Sequence, residues 1–447
     1  MKSTVKVEKI VYPGKALARG EDGTAVFFDG ALPGETAEVK IIKSKKSFKE
    51  AILLSVLSAS PIRRAPVCPS FGFCGGCSFQ HTGYANQLEI KRSYVCEQLK
   101  EYEPLIGATV PSPEELGYRN KMEFSFFAQD GRLLAGLHVK KEFNRYVPVP
   151  PCFIADKDTM SVFDTVMDFA QNSGKPVYDK KLQSGFYRHL VLRKAKRSSE
   201  VLVNIVTNKD GAVSAEFFAP LVKELGNKAA SVYWTVNSRP SDAVYADELT
   251  LLSGAPVIHE KLIVKNREYG FNISPFSFFQ TNTYACEKLY ETVVDIAPWA
   301  KTDRVLDLYC GTGTIGLVLA PCTGRVYGVE QIPDAVKNAR ENSLLNKIEN
   351  IEFVEGSVEN WVKLNKELEF DSLVVDPPRS GLTPKIIEFI TAEAPAKIVY
   401  VSCNPSTLAR DLKAICLGGR YEVVKIVPVD MFPQTFHVET VVYLKRA

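Results

Sequence analysis

The chain has 447 residues, 45% hydrophobic and 24% charged, with a formal net charge of +3. That length allows two to four domains, and the balance excludes disordered and fibrous classes. Ten cysteines in a chain this long exclude a small disulfide scaffold. No stretch reads as a membrane span: the longest charge-free run after residue 273, Leu308 to Gly324, is broken by four Gly and three Thr. The start, Met1-Lys-Ser-Thr-Val-Lys-Val-Glu, lacks the apolar core of a secretory leader, which predicts a cytoplasmic protein.

Residues 1–60 read as all-β. Short apolar runs (Thr4–Ile10, Thr24–Phe28, Thr36–Ile42, Ala51–Leu57) are separated by Pro13-Gly14, Gly20, Asp29-Gly30 and Pro33-Gly34. Four or five strands in this length fit an OB-like β-barrel, a frequent nucleic-acid platform; an SH3-like module fits as well. Residues 40–49 hold five Lys and no acid, and Arg63-Arg64 follow. Such a run suits a solvated face or a phosphate backbone.

Pro61, Pro66 and Pro69 mark a linker that opens into Cys68-x5-Cys74-x2-Cys77, followed by a helix near Tyr84–Lys100. From residue 61 to 272 the pattern predicts a central α+β domain. Its strands are Lys121–Phe127, Leu133–Val139, His189–Lys194, Glu200–Thr207 and Ser231–Asn237, and its helices lie near Asp158–Asn172 and Ala215–Leu225. Residues 84–113 could instead pack on the C-terminal domain. From 273 to 447, strands Arg304–Tyr309, Arg325–Glu330, Ile351–Glu355, Ser372–Asp376 and Lys397–Ser402 alternate with helices, and Tyr421–Val429 and His437–Leu444 close as an antiparallel pair. That is a doubly wound, Rossmann-like α/β domain.

Asp307-Leu-Tyr-Cys-Gly311-Thr-Gly313-Thr-Ile-Gly316 lies between a strand and a helix, with the acid Glu330 at the end of the next strand. Glycines admit a ligand to the backbone, and the acid suits ribose hydroxyls. Both fit NAD and S-adenosylmethionine alike. The acid-led form and Asp376-Pro377-Pro378-Arg379 at the fourth strand tip favour S-adenosylmethionine. Cys403 follows a buried strand and precedes Asn404-Pro405, an N-cap and first helical position. The helix dipole there favours thiolate over thiol. A thiolate can add to C6 of a pyrimidine and activate C5, after which a base must remove the C5 proton. Glu439, a lone carboxylate in an apolar strand, is the candidate base, with burial raising its pKa. His437 is a rival.

Together these stretches, with Ser277-Phe-Phe-Gln280-Thr-Asn282, Ser402-Cys403-Asn404-Pro405 and His437-Val-Glu439, resemble the RNA uracil-C5 methyltransferases over essentially the whole chain. The resemblance implies Cys403 as nucleophile, Glu439 as base, and Gln280, Tyr309, Glu330 and Asp376 around S-adenosylmethionine. It implies that the N-terminal barrel is a TRAM domain. It further implies a [4Fe–4S] cluster on Cys68, Cys74, Cys77 and Cys152, where spacing alone allows a structural zinc site equally. Cys96, Cys286, Cys310, Cys322 and Cys416 have no assigned role.

The partner is then RNA, with 23S rRNA favoured because relatives bearing both a TRAM-like domain and four such cysteines resemble the ribosomal enzymes; tRNA is the alternative. A monomer is expected. Phe71, Phe73, Phe79 and Tyr84, near Arg63, Arg64, Lys91 and Arg92, suit stacking on an unpaired base, and a paired uridine would have to be flipped out. Tyr118-Arg-Asn-Lys121, Arg188 and His189 could assist RNA binding. Two competing readings are a non-catalytic ribosome-assembly factor on the same fold and an NAD-dependent oxidoreductase.

Overall fold

The computed structural model describes residues 1–149, 152–209, 213–241, 243–365 and 368–447. β1 (Lys2–Val11), β2 (Lys15–Arg19), β3 (Ala25–Phe28), β4 (Thr36–Ser44) and β5 (Phe48–Ser58) close into a barrel in the order β1-β2-β3-β5-β4. β3 and β5 run parallel, as an OB-like barrel requires. Val5, Val7, Ala16, Ala18, Val26, Phe28, Ala37 and Val39 fill its interior; period-two alternation leaves Lys40 outside, and a register shift after Ile41 leaves Lys43 exposed as well.

The chain then crosses to the C-terminal domain. α1 (Tyr84–Gln98) buries Lys91 in an ion pair with Asp430 (2.6 Å), and Ile106 and Val110 bridge to Ile426 and Val429. The expected stacking surface is therefore smaller than the sequence suggests. Phe73 is exposed, but Phe79 and Lys91 are buried in the joint between barrel, helix and C-terminal domain.

The central domain holds β6 (Lys121–Gln129), β7 (Arg132–Val139), β8 (Glu142–Pro148), β9 (Tyr187–Lys194), β10 (Val201–Thr207), β11 (Ser231–Val236) and β12 (Glu248–Gly254) in one sheet, ordered β12-β11-β10-β9-β6-β7-β8. Met122, Phe124, Phe126, Leu190 and Leu192 face α2 (Lys157–Asn172) and α3 (Ala219–Leu225) in one apolar core. A hairpin, β13 (Ile258–Val264) and β14 (Arg267–Ile273), joins the core of the C-terminal domain beside α4 (Thr283–Ile296).

The C-terminal sheet contains β15 (Arg304–Leu308), β16 (Arg325–Glu330), β17 (Ile351–Glu355), β18 (Ser372–Val375), β19 (Lys397–Ser402), β20 (Tyr421–Val429) and β21 (Glu439–Arg446). Their order is β17-β16-β15-β18-β19-β21-β20, parallel except for β21, which inserts antiparallel between β19 and β20. α5 (Thr314–Leu319), α6 (Pro333–Leu345), α7 (Val358–Leu364), α8 (Pro384–Glu393) and α9 (Pro405–Ile415) make the crossovers. Strand order reverses between β15 and β18, so their carboxyl ends open the crevice where such sheets bind ligands. Among the described residues, no helix is long and apolar enough to cross a membrane.

Candidate active site

The crevice is built first by the turn after β15. Tyr309 sits at φ 63° and Gly311 at φ 55°, which swings the chain sharply into α5. A Cβ on Gly313 would come 2.4 Å from Phe353, so only glycine lets the loop lie on β17; a Cβ on Gly311 would meet nothing within 4 Å, so that side of the loop is open to a ligand. Glu330, at the end of β16, is locked by three amides: Gln331 N (2.8 Å), Ile332 N (2.9 Å) and Gly311 N (3.2 Å). Asp307 is fully buried behind the loop, and neither carboxyl oxygen has a hydrogen-bond partner of good geometry among the described residues, although the Gly316 amide pulls on it electrostatically. Burial and the charge of Asp376 push its pKa well up.

The segment before α4 forms the near wall. Asn282 caps the helix through Ala285 N (3.1 Å), and its amide group donates to Ser112 Oγ (3.1 Å) and Met431 O (3.0 Å). Gln280 is held through its carbonyl by Asn120 Nδ2 (3.0 Å), leaving its own amide group half-buried at the crevice. Asp376, just past β18, is raised to about 7 by burial. Gln280, Tyr309, Glu330 and Asp376 thus all stand on segments that converge on the switch point.

Cys403 and Glu439 meet on the next strands. β19 and β21 pair in register up to Ser402 opposite Thr440, and Cys403 and Glu439 lie just beyond that end of the ladder. Asn404 caps α9 through Ser406 N (3.1 Å), as the sequence predicts. The surroundings of Cys403 oppose the thiolate that the helix dipole favours. Burial, then Glu439, then Asp376 push Cys403 up to about 11, against the opposing pull of Arg379. Two carboxylates and desolvation outweigh one helix dipole. Glu439 is raised to about 8 by burial and by Asp376, again opposed by Arg379. His437 lies outside the strand, stacked on Phe436 at 4.1 Å, and burial and nearby cations lower it to about 4. It is a far weaker base than Glu439.

The loop carrying these residues, between β20 and β21, is tied from several sides. Lys91 donates to Asp430 and to Phe432 O (3.0 Å). Tyr118 donates to Pro433 O (3.0 Å), and Gln87 and Gln434 exchange two amide hydrogen bonds of 2.9 Å. The barrel contributes Tyr12, whose ring meets Phe436 edge-on at 6.0 Å and whose hydroxyl feels Arg379, Cys403 and Glu439.

Cys68, Cys74, Cys77 and Cys152 come together, 75 residues of chain apart in the last case, around one small cavity of about 30 Å³ also lined by Phe71, Gln80 and Leu137. Burial raises the Cys74 and Cys152 thiols and takes Cys77 to about 12. Gly76 N (3.4 Å) and Gln80 Nε2 (3.3 Å) donate to Cys74 and Cys77 sulfurs. Among the described residues, no three ligand side chains are arranged around a single metal ion.

The profile of the tRNA (Uracil-5-)-methyltransferase family matches residues 83–447, and that of the TRAM domain matches residues 2–54. This chain belongs to the tRNA (uracil-5-)-methyltransferase family. It is an RNA methyltransferase with an N-terminal TRAM barrel. An uncharacterized RNA methyltransferase of Caldanaerobacter subterraneus subsp. tengcongensis is 39% identical, over 99% of this chain and 98% of the relative. One from Clostridium tetani is 37% identical, over 99% and 97%. The crystal structure of Pyrococcus abyssi tRNA (uracil-54, C5)-methyltransferase in complex with S-adenosyl-L-homocysteine has 29% identity and a TM-score of 0.77, covering 98% of this chain and all of that one.

Several residues of this methyltransferase site carry no role in the sequence reading. Asp307 and Arg379 stand inside quoted motifs but gain meaning only from the burial of one and the electrostatic reach of the other toward Cys403, Glu439 and His437. Tyr12 gave no signal, because nothing local says that the barrel docks on Phe436.

Proposed function

We propose that this enzyme methylates C5 of a uridine in RNA, with S-adenosylmethionine as methyl donor and 23S rRNA as the favoured RNA. The observation that carries the reading is the placement of Cys403 and Glu439 just beyond the Ser402–Thr440 end of the β19–β21 ladder, both within electrostatic reach of Asp376 and Arg379. The thiolate of Cys403 adds to C6 of uracil, and the resulting enolate takes the methyl group at C5. Glu439 removes the C5 proton, and elimination frees Cys403. The crevice suits a sulfonium cofactor. Burial raises the pKa of its acids Asp307, Asp376 and Glu439, with the charge of Asp376 adding to the first and last, and a bound cation favours their ionised forms. Gln280, Tyr309, Glu330 and Asp376 would hold the donor, Glu330 by its ribose.

A second reading, methylation of tRNA, is favoured by the likeness to the Pyrococcus enzyme. The barrel with four cysteines favours ribosomal RNA, as in the 23S enzymes it resembles. Mapping 5-methyluridine in ribosomal and transfer RNA of a deletion strain decides between them. Loss of the mark from neither RNA would overturn both.

We read the cysteine cavity as a [4Fe–4S] site rather than a zinc site, because four thiols line one apolar pocket but no three of them are arranged around a single ion among the described residues. Cys68, Cys74, Cys77 and Cys152 would hold it, with amide and side-chain donors to the sulfurs tuning it. Such a cluster would supply a covalent staple between the linker and the central domain. Anaerobically purified protein should be brown with a broad band near 400 nm; colourless protein with stoichiometric zinc would contradict this. We read the domains as 1–60, 61–272 and 273–447, with 84–113 packed on the last. We also infer a cytoplasmic monomer, since nucleophile, base and cofactor-side residues all come from one chain.

A further inference from the structure

The face of the central sheet that turns away from α2 and α3 is polar. Cross-strand register puts Lys121 beside Arg193 and Ser125 beside His189 on that face. Arg193 is 5% exposed, yet among the described residues its guanidinium has no hydrogen bond or ion pair, and its Nε is a buried donor without an acceptor. Glu123, the carboxylate whose charge reaches it, is largely solvated and leans toward Lys121 at 3.9 Å. Burial and the neighbouring guanidinium draw Lys121 down in turn.

A buried cation without a counter-ion costs several kcal/mol in principle, so it persists where an anion from outside completes it. The position of the pair says which anion. Lys194 N donates to Asn120 O (2.8 Å), Asn120 N donates to Thr281 O (2.9 Å), and Asn120 Nδ2 reaches Gln280 O. Arg119 bridges to Asn282. The two cations therefore stand directly behind the segment that walls the methyl-donor crevice.

We propose that Lys121 and Arg193 form a subsite for a backbone phosphate of the RNA, next to the nucleotide that enters the crevice. The guanidinium takes two phosphate oxygens at once, and Lys121 adds a point charge at the rim. The proposal rests on RNA being the substrate, and deepens that reading by naming where its backbone is gripped.

The test compares full-length wild type with Arg193→Gln and Lys121→Gln, using a uridine-containing single-stranded RNA oligonucleotide followed by fluorescence anisotropy across a salt series. Each variant should bind the RNA more weakly and flatten the slope of log Kd against log salt by about 0.7 per lost contact. In methyl transfer, KM for RNA should rise while kcat at saturating RNA changes little. Binding of S-adenosylhomocysteine should be unchanged, and Arg193→Gln should melt no lower than wild type, since an unpaired buried charge is gone. If Arg193→Gln fails to fold, Lys121→Gln carries the same reading. An unchanged salt slope and Kd in the variants would overturn the subsite. Inorganic phosphate alone stabilising wild type over Arg193→Gln, with no difference in RNA binding, would also overturn it, in favour of a free-anion site. Because binding is read without turnover, an inactive Cys403→Ala enzyme leaves this test intact, and the two readings fail separately.

Discussion

Cys403 and Glu439 lie just past the Ser402–Thr440 pair that ends the antiparallel joint between β19 and β21, and the charge of Glu439 reaches the thiol. A parallel sheet cannot do this with a short connection. The inserted antiparallel strand is what brings a residue of the C-terminal segment back to the tip where the thiol stands. Arg379, after β18, is the cation that both groups feel, and Asp376 the acid.

Replacing the nucleophile gives the first prediction. Cys403→Ala should lose methyl transfer by at least about 10⁴-fold, because the uncatalysed C5 carbon is a poor nucleophile. It should form no covalent adduct with RNA, while calorimetric titration finds the same affinity for S-adenosylhomocysteine. Appreciable turnover in this variant would rule out addition at C6.

The pH profile gives a second. Glu439 acts as a base only when ionised, and its folded pKa is raised to about 8. In the free enzyme kcat/KM should therefore rise steeply with pH up to about 8, and more gently above it, because the Cys403 thiol, raised to about 11, is still ionising. With the sulfonium donor bound, positive charge favours the carboxylate, so kcat should level off at lower pH. A profile flat from pH 6 to 9 in both parameters, measured with tritiated donor, would contradict the assignment.

Asp307 gives a third, about stability. Its carboxyl is buried without good partners and its pKa is raised well above 3.8. The native state binds this proton more tightly than the unfolded chain, so the group's contribution is fully present below the unfolded pKa and is lost as pH rises through the folded value. Asp307→Asn, which removes the charge and keeps the shape, should melt several degrees above wild type at pH 8 without donor, and the gap should narrow as pH falls and close only below about pH 4. A gap that widens toward acid would invert the argument.

Lys91 and Asp430 give a fourth. Both side chains are fully buried at 2.6 Å, and the pair anchors the loop that delivers Glu439. Lys91→Ala leaves Asp430 unpaired and should cost about 3–5 kcal/mol in denaturant unfolding. A loss below about 1 kcal/mol would mean that the loop is held elsewhere, as by Gln87 and Gln434.

Much of the C-terminal domain was legible because most of its strands have apolar centres and helices such as α4 and α9 have side-chain caps at Asn282 and Asn404. Arg325–Glu330, Ile351–Glu355, Lys397–Ser402, Tyr421–Val429 and helix Thr283–Ile296 end where their patterns end. Less was legible where pattern is weak. β8 carries Glu142, Asn144 and Arg145 at an exposed edge, β12 has no buried face, and β2 spans only Lys15–Arg19. The last strand begins at Glu439 rather than His437, because Phe436 and His437 turn toward the barrel. The state of the Cys403 thiol was illegible for a different reason. A helix dipole can be read from Asn404-Pro405, whereas the opposing fields come from Asp376 and Glu439, which only the fold brings near.

The central claim is that Glu439 removes the C5 proton after Cys403 has added to uracil. Its most direct test is the Glu439→Gln enzyme, incubated with donor and labelled RNA and run on a denaturing gel. Methyl transfer should proceed once and stall, leaving a covalent RNA–protein band that disappears when Cys403→Ala is added to the same chain. Normal turnover by Glu439→Gln, with no such band, would contradict it.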